Sequence, residues 1–183
     1  MRRLRKAYLE ITNVCNLACD FCPGTRRVLG FLSPEGFRTL ASRLRPHTDY
    51  LYLHLMGEPL LHPQLGVLLE EADALGFRVM LTTNGTLLRQ REALLLGSPA
   101  VEKVSVSVHS FEGNGGAGED LEGYLDGCIA FARAAAGAGV PVLTLRRERL
   151  ESLEAARPFD TVRALMDEAA RLLDEAGWTV GSD

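Results

Sequence analysis

Apolar and polar residues alternate in several short stretches of this chain, and that period of two is typical of β-strands. Four stretches show it clearly and a fifth shows it more weakly. The predicted strands are AYLEIT from Ala7, YLYLHLM from Tyr50, RVMLTTN from Arg78, KVSVSVHS from Lys103 and, as the weaker one, VPVLTL from Val140. Between them the apolar residues recur every three to four positions, which predicts helices.

The predicted helices span 34–44, 64–75, 87–96 and 121–136, and Ser33 is a candidate N-cap for the first of them. A glycine follows each of the other three, at Gly76, Gly97 and Gly137, where it would end the helix. Strand and helix therefore alternate along the chain. Repeated βα units predict a parallel sheet, either doubly wound or curved into a barrel.

The two faces of the predicted strands differ in polarity. One face is Leu, Ile or Val at positions 9, 11, 51, 53, 55, 79, 81, 104, 106 and 108. The other face carries Tyr8, Glu10, Thr12, Tyr50, Tyr52, His54, Met56, Met80, Thr82, Asn84, Ser105, Ser107 and His109. A doubly wound sheet buries both faces and would be apolar on both. The asymmetry favours a partial (βα) barrel whose interior holds a polar ligand.

Composition and charge narrow the class of protein. The chain has 183 residues, 46% of them hydrophobic, which is enough for a substantial core. Its net charge of −4 argues against a nucleic-acid surface. No apolar run is long enough to span a membrane, and the basic start is followed by no signal-type segment. We therefore expect a cytoplasmic protein with no membrane or nucleic-acid partner.

Three of the four cysteines lie within eight residues, in CNLACDFC at Cys15, Cys19 and Cys22. This stretch follows the first predicted strand, and the C-terminal edge of a parallel sheet is where ligand sites gather. Thiolates are the ligands of iron–sulfur clusters, and three of them on a four-iron cluster leave one iron open. A zinc site completed by a distant histidine, or reduced bystander cysteines, are the alternatives. Cys128 lies on the packed stripe of a predicted helix and is expected in the core.

LEITNVCNLACDFC resembles the signature of the radical S-adenosylmethionine enzymes, the radical SAM family. In that family three cysteines hold a [4Fe–4S] cluster, and the open iron chelates the amino and carboxylate groups of S-adenosylmethionine. The resemblance implies that Cys15, Cys19 and Cys22 are the cluster ligands at the catalytic centre. It also implies that Phe21 packs beside the adenine.

Three further stretches resemble blocks of the same family, in the same order. MGEPLLHP resembles the Gly-Gly-Glu-Pro turn that holds the methionine amino group, with Met56 in place of the first glycine. LTTNGTLL and VSVSVHS resemble its third and fourth strands. The cofactor contacts that the resemblance implies in these blocks are Met56, Gly57, Glu58, Pro59, Thr82, Asn84, Ser107 and His109.

The resemblance covers roughly residues 7–140 and is greatest to the SPASM-type subgroup, which modifies peptides and carries an extra C-terminal cluster domain. The sequence after residue 145 departs from that subgroup, since it has no second cysteine set and no Gly-x-Ile-x-Gly motif. We expect a barrel core over 1–145 and a helical segment over 146–183, broken near Pro158, with a short strand at WTV as an alternative. The resemblance implies a barrel of six βα units, and five are predicted in this sequence. We therefore expect the C-terminal tail or a partner chain to close the side of the barrel where the sixth unit would lie.

Several weaker signals remain outside these blocks. GNGGAG from Gly113 matches a dinucleotide-binding pattern, but no acidic residue follows at the required distance, so a mobile loop near the site is favoured. His47 and His62 are expected to be loop or capping residues. His54 and His109 face the predicted interior, where they either touch substrate or are satisfied polar residues.

The resemblance implies one principal function, which is reductive cleavage of S-adenosylmethionine to a 5′-deoxyadenosyl radical that abstracts hydrogen from a peptide or small molecule. An electron donor such as flavodoxin or ferredoxin would then be needed. Two other hypotheses stay open. The first is a truncated or degenerate domain that binds cluster and cofactor without turnover, and the second is a zinc-bound structural module.

Overall fold

The computed structural model describes residues 3–115, 119–138 and 143–145. Strands and helices alternate through these residues, with a 3₁₀ turn over Pro59–Leu61. The strands are β1 (Ala7–Tyr8), β2 (Tyr50–Tyr52), β3 (Arg78–Thr83), β4 (Val101–Val106) and β5 (Leu143–Leu145). The helices are α1 (Pro34–Leu44), α2 (Leu65–Ala74), α3 (Leu88–Gly97), α4 (His109–Glu112) and α5 (Glu119–Gly137).

The five strands form one parallel sheet whose spatial order is β1-β2-β3-β4-β5. The order never reverses, whereas a doubly wound sheet reverses it at a switch point. Because parallel crossovers are right-handed, an unreversed order places the connecting helices on the same face. The predicted partial barrel is confirmed.

The core lies between that face of the sheet and the helices. It contains the predicted apolar strand positions, among them Leu9, Leu51, Val79 and Val104, together with buried residues of α1, α2, α3 and α5. Leu55 was expected on this face, but it is 66% exposed because the chain has left β2 by that position. The opposite face, lined by the polar set, is therefore the concave interior of the partial barrel.

β1, β2 and β4 are shorter than the sequence predicts, and beyond the ends of β1 and β4 the chain takes other partners. At the end of β1, the Leu32 N–H donates to the Ile11 carbonyl, and Thr12 forms an antiparallel bridge with Phe31. β4 begins at Val101 rather than Lys103 and ends at Val106. Beyond it the Ser110 N–H donates to the Ser107 carbonyl, and the chain turns into α4.

The predicted helices are present with small shifts at their ends. The Ser33 side chain accepts from the Gly36 N–H and caps α1, as expected. Cys128 is buried in the core, as expected for the packed stripe of α5. No helix in the described ranges is long and apolar enough to cross a membrane.

The predictions for 146–183 concern residues outside the described ranges. The same holds for positions 140–142 of the fifth predicted strand and for positions 116–118 of the glycine-rich segment. The division into a core over 1–145 and a helical tail therefore stays a prediction.

Candidate active site

The three clustered cysteines lie on a loop, residues 13–31, which we call the cysteine loop. Its base is closed where Thr12 and Phe31 form their antiparallel bridge and where the Thr12 hydroxyl donates to the Gly30 carbonyl at 2.9 Å. The Asn13 side chain adds a second closure, because its Oδ1 accepts from the Gly30 N–H at 2.9 Å. The loop therefore stands on the C-terminal end of β1 as a closed unit.

The three thiols differ in exposure. Cys15 and Cys22 are exposed, whereas Cys19 is half-buried and its Sγ lies 3.2 Å from the Ser110 carbonyl oxygen, to which it can donate. Burial raises the pKa of the Cys19 thiol, and the nearby Cys15 and Cys22 raise it further because like charges repel. Cys19 therefore differs from the other two thiols both in its burial and in its contact with Ser110.

The three loop cysteines can be compared with the ligands of a single zinc ion and with those of a four-iron cluster. In the described part of the chain, no three His, Cys, Asp or Glu side chains are arranged to hold one metal ion. A single zinc ion needs every donor within about 2.0–2.3 Å of the same point. A four-iron cluster takes each thiolate on a different iron, so its donors stand further apart. Three thiolates on one loop are the ligand chemistry that iron–sulfur clusters use.

The turn after β2, residues 56–58, packs directly against the start of the cysteine loop. The Glu58 N–H donates to the Val14 carbonyl at 2.7 Å. Gly57 has a φ of +74°, and a Cβ there would lie 2.7 Å from the Thr12 carbonyl oxygen and 2.8 Å from the Asn13 backbone. The space that a side chain at position 57 would occupy is therefore filled by the backbone of Thr12 and Asn13.

The same turn is bound by Glu10 from the concave face of the sheet. One Glu10 carboxylate oxygen accepts from the Met56 N–H at 3.1 Å. The other pairs with the Arg27 guanidinium at 2.6 Å. Glu10 thereby connects the turn that carries Met56 to the far side of the cysteine loop.

The Glu58 side chain points into the protein and is only 1% exposed. Its carboxyl oxygens accept from the Thr83 hydroxyl at 2.8 Å, the Leu60 N–H at 3.0 Å and the Asn84 N–H at 2.7 Å. Burial raises the pKa of Glu58, against the opposing effect of these donors. Pro59 is also buried, at the start of the 3₁₀ turn. Both residues fix the turn, and neither presents its side chain to the open interior.

Asn84, at the end of β3, holds the first half of the cysteine loop. Its Nδ2 donates to the Asn16 side-chain oxygen at 2.9 Å and lies 3.9 Å from the Cys15 Sγ. Its Oδ1 accepts from the Thr86 backbone N–H and hydroxyl. The Asn16 amide in turn donates to the Thr86 hydroxyl at 2.9 Å. Asn84 therefore lies within reach of the first cysteine.

His54 and Thr82 meet on the concave face, below the loops. The Thr82 N–H donates to the His54 Nδ1 at 3.1 Å, so Nδ1 carries no proton. Nε2 then carries it and donates to the Thr82 hydroxyl at 3.0 Å. The rings of Tyr8 and Tyr52 lie 5.6 and 5.7 Å from the His54 ring. This part of the interior is aromatic as well as polar.

The second half of the cysteine loop lies against the segment that follows β4. The Phe21 and His109 rings are 4.9 Å apart and tilted. The Asp20 N–H donates to the Gly113 carbonyl at 2.9 Å, and the Ala18 N–H donates to the Asn114 Oδ1 at 2.7 Å. The Ser107 N–H donates to the Thr83 carbonyl at 2.8 Å, which places Ser107 beside the end of β3.

The sequence did not single out Glu10, Asn16 or Asn114 as site residues, although each contacts this region. Glu10 belongs to the polar alternation of the first strand, and that was the available signal. Asn16 lies inside the cysteine motif itself. Asn114 lies in the glycine-rich stretch that was expected near the site, but its contact with Ala18, 96 residues away, has no local signal.

A parallel sheet of unreversed order, with a polar concave face, defines an α/β partial-barrel protein that carries three thiols on the loop after its first strand. A sequence profile of the Radical SAM superfamily matches residues 9–145, which is more than half of the chain. The chain therefore belongs to the Radical SAM superfamily. The sequence-based resemblance is confirmed at this level.

A GTP 3′,8-cyclase of Parasynechococcus marenigrum is 33% identical to this chain over 158 residues, which cover 73% of the chain and 45% of that protein. The structure of BtrN in complex with AdoMet and 2-DOIA matches with a TM-score of 0.61 and 24% identity, over 81% of this chain and 59% of BtrN. Streptococcus suis SuiB bound to S-adenosylmethionine matches with a TM-score of 0.63 and 15% identity, over 95% of this chain and 48% of SuiB.

The chain spans less than half the length of each curated relative that it matches, from 26% to 45%. Homologues in this superfamily are enzymes, and its members bind a [4Fe–4S] cluster and S-adenosylmethionine. The expected class of protein and its cofactors are thus confirmed at the level of the family. The residues that hold these cofactors here are proposals.

Proposed function

We propose that Cys15, Cys19 and Cys22 hold a [4Fe–4S] cluster, and that this chain is the catalytic core of a radical SAM enzyme. The observation that carries the proposal is the closed cysteine loop, whose three thiols stand at the C-terminal end of a polar concave sheet. When bound and reduced, the cluster supplies the electron that cleaves S-adenosylmethionine to methionine and a 5′-deoxyadenosyl radical. The radical would abstract hydrogen from the substrate.

The chain's own residues have two kinds of proposed role beside the cluster. Glu58 and Pro59 are proposed to contact the cofactor through the backbone of the turn, and their buried side chains fix that turn. Other cofactor contacts are proposed on the concave side and around the loop, namely Phe21, Met56, Gly57, Thr82, Asn84, Ser107 and His109. Their shared task is to bind and orient the cofactor against the loop and to exclude water from the reacting atoms.

The substrate belongs to the peptide or small-molecule class on which the family acts. One SuiB structure holds the precursor peptide SuiA, and BtrN holds 2-DOIA, so similar folds take both kinds. The concave face offers aromatic and polar side chains at Tyr8, Tyr52 and His54. We propose that the substrate enters along this face. We further propose a reducing, cytoplasmic location and a small redox protein such as flavodoxin or ferredoxin as electron donor.

The proposal is tested by anaerobic reconstitution with iron and sulfide, followed by measurement of both per chain. Replacing Cys15, Cys19 or Cys22 with Ala should abolish the bound cluster, whereas Cys128→Ala should retain it because that thiol is buried in the core. Bound zinc with no sulfide would contradict the proposal. Cluster and cofactor binding without release of 5′-deoxyadenosine would support the alternative of a binding domain without turnover.

A further inference from the structure

We propose that the segment after β4, residues 110–114, fixes the position of the cysteine loop before any cluster is bound, with Asn114 as its positioning residue. We call this segment the loop clamp. The inference rests on the proposed function, because the position of the loop matters when Cys19 is a cluster ligand. It assigns a role to part of the glycine-rich stretch that matched a nucleotide-binding pattern.

Three consecutive residues of the cysteine loop are hydrogen-bonded to the clamp. The Ala18 N–H donates to the Asn114 Oδ1 at 2.7 Å, and the Asp20 N–H donates to the Gly113 carbonyl at 2.9 Å. Between them the Cys19 Sγ lies 3.2 Å from the Ser110 carbonyl oxygen. The middle cysteine is therefore held on both sides of its own backbone as well as at its sulfur.

Gly113 brings the two segments together by having no side chain. Its φ of −61° is ordinary, so its backbone conformation does not require glycine. A Cβ there would lie 2.4 Å from Phe21 Cε1 and 3.1 Å from the Asp20 carboxylate. The requirement for glycine at this position therefore comes from the contact with the cysteine loop.

The clamp explains why the three thiols differ in exposure. Cys15 and Cys22 lie on parts of the loop without this support and are exposed, whereas Cys19 is half-buried against Ser110. Among the three clamp hydrogen bonds, the one from Ala18 is the only one accepted by a side chain. A substitution at Asn114 therefore removes one of the three bonds without changing the backbone of the clamp.

The test uses the cluster-free full chain, so that its result does not depend on iron. The chain is treated briefly with iodoacetamide under anaerobic conditions, and the extent of alkylation at each cysteine is measured by peptide mass spectrometry. In the wild type, Cys19 should react more slowly than Cys15 and Cys22. Asn114→Ala should speed the reaction of Cys19 by about fivefold, which corresponds to the loss of one hydrogen bond of ordinary net strength.

Matched variants separate positioning from general loss of structure. Asn114→Asp keeps an oxygen acceptor for the Ala18 N–H and should restore slow alkylation of Cys19. Gly113→Ala should expose Cys19 as Asn114→Ala does, because its methyl group displaces Phe21. Asp126→Ala is a control on the exposed side of α5, and its Cys19 should be alkylated at the wild-type rate. Thermal unfolding identifies any variant that has lost its fold. If Gly113→Ala proves to be unfolded, the proposal is tested with Asn114→Ala.

Unchanged alkylation of Cys19 in Asn114→Ala would overturn the proposal, as would equal acceleration at all three cysteines in a folded variant. Iron measurements after reconstitution distinguish this failure from failure of the proposed function. If the wild-type chain binds a cluster but Cys19 stays protected in Asn114→Ala, the proposed role of the loop clamp is wrong and the proposed function stands. A wild-type chain that takes up no iron overturns the proposed function, whereas the alkylation pattern still decides whether the clamp positions the loop.

Discussion

The buried Glu58 carboxyl group connects the turn after β2 to the end of β3. All three of its hydrogen-bond partners, the Thr83 hydroxyl and the N–H groups of Leu60 and Asn84, donate to carboxyl oxygens. A buried group left without its partner costs more free energy than an ordinary hydrogen bond gains. We therefore expect the stability of the fold to be sensitive to the identity of the side chain at position 58.

Glu58→Gln should lower the free energy of unfolding by about 1–3 kcal/mol. The amide has only one oxygen, so its NH₂ group would face a backbone N–H donor at one of the two sides. Urea unfolding of the cluster-free chain measures the change, with Glu70→Gln on the exposed side of α2 as control. Equal stability of Glu58→Gln and wild type would show that these hydrogen bonds do not hold the turn.

Gly57→Ala should destabilise the cluster-free chain by about 1–3 kcal/mol, because the added methyl group overlaps the backbone at Thr12 and Asn13. The positive φ of +74° adds strain for any residue with a side chain. Gly30→Ala is the matched control, since a Cβ there meets nothing within 4 Å. If Gly57→Ala changed cofactor affinity but left stability unaltered, the contact between turn and loop would be wrong as described.

At the scale of elements, the connections between strands carry the site, and His62 supports one of them. The Gln64 N–H donates to the His62 Nδ1 at 3.1 Å, so Nε2 carries the proton and donates to the Leu32 carbonyl at 2.9 Å. His62 thereby ties the start of α2 to the segment that leaves the cysteine loop. The prediction that it is a loop or capping residue is confirmed.

His62 should make stability depend on pH. Burial lowers its pKa, and the positive charge of Arg91 lowers it further. The unfolded chain therefore binds this proton more readily than the folded one, and stability is lost as the pH falls from about 6.5, the usual imidazole value, through the lowered folded-state pKa. Unfolding measured at several pH values should show a smaller loss in His62→Gln than in wild type. An equal loss in His62→Gln and wild type would contradict this role of His62.

The elements were predictable where their pattern is local. The alternation of apolar and polar residues predicted which side chains share a face of the sheet, and Ser33 as an N-cap predicted the start of α1. The ends of β1 and β4 were not predictable, because Ile11 and Thr12 pair with Leu32 and Phe31 where the cysteine loop ends, and Ser107 begins a turn. The same contrast holds for the site. The three cysteines form a local motif, whereas the bond from Met56 to Glu10 spans 46 residues and has no local signature.

At the scale of the whole molecule, the unreversed parallel order brings the C-terminal ends of the strands to one edge of the sheet. β1 ends in the cysteine loop, β2 in the turn at Gly57, β3 in Asn84, and β4 in the loop clamp. Each of the last three contacts the cysteine loop by a hydrogen bond or a close backbone contact. The fold thus supports the proposed cluster site from three neighbouring strands.

We propose that the cysteine loop holds a [4Fe–4S] cluster with one iron open to S-adenosylmethionine. The most direct test is electron paramagnetic resonance of the reconstituted, dithionite-reduced chain, recorded with and without S-adenosylmethionine. Wild type and Cys128→Ala should show a reduced-cluster signal whose shape changes when S-adenosylmethionine is added, and Ala at Cys15, Cys19 or Cys22 should abolish the signal. An identical spectrum with and without S-adenosylmethionine would contradict binding of S-adenosylmethionine at the cluster, and an unchanged signal in any of those three variants would contradict the assignment of that cysteine as a cluster ligand.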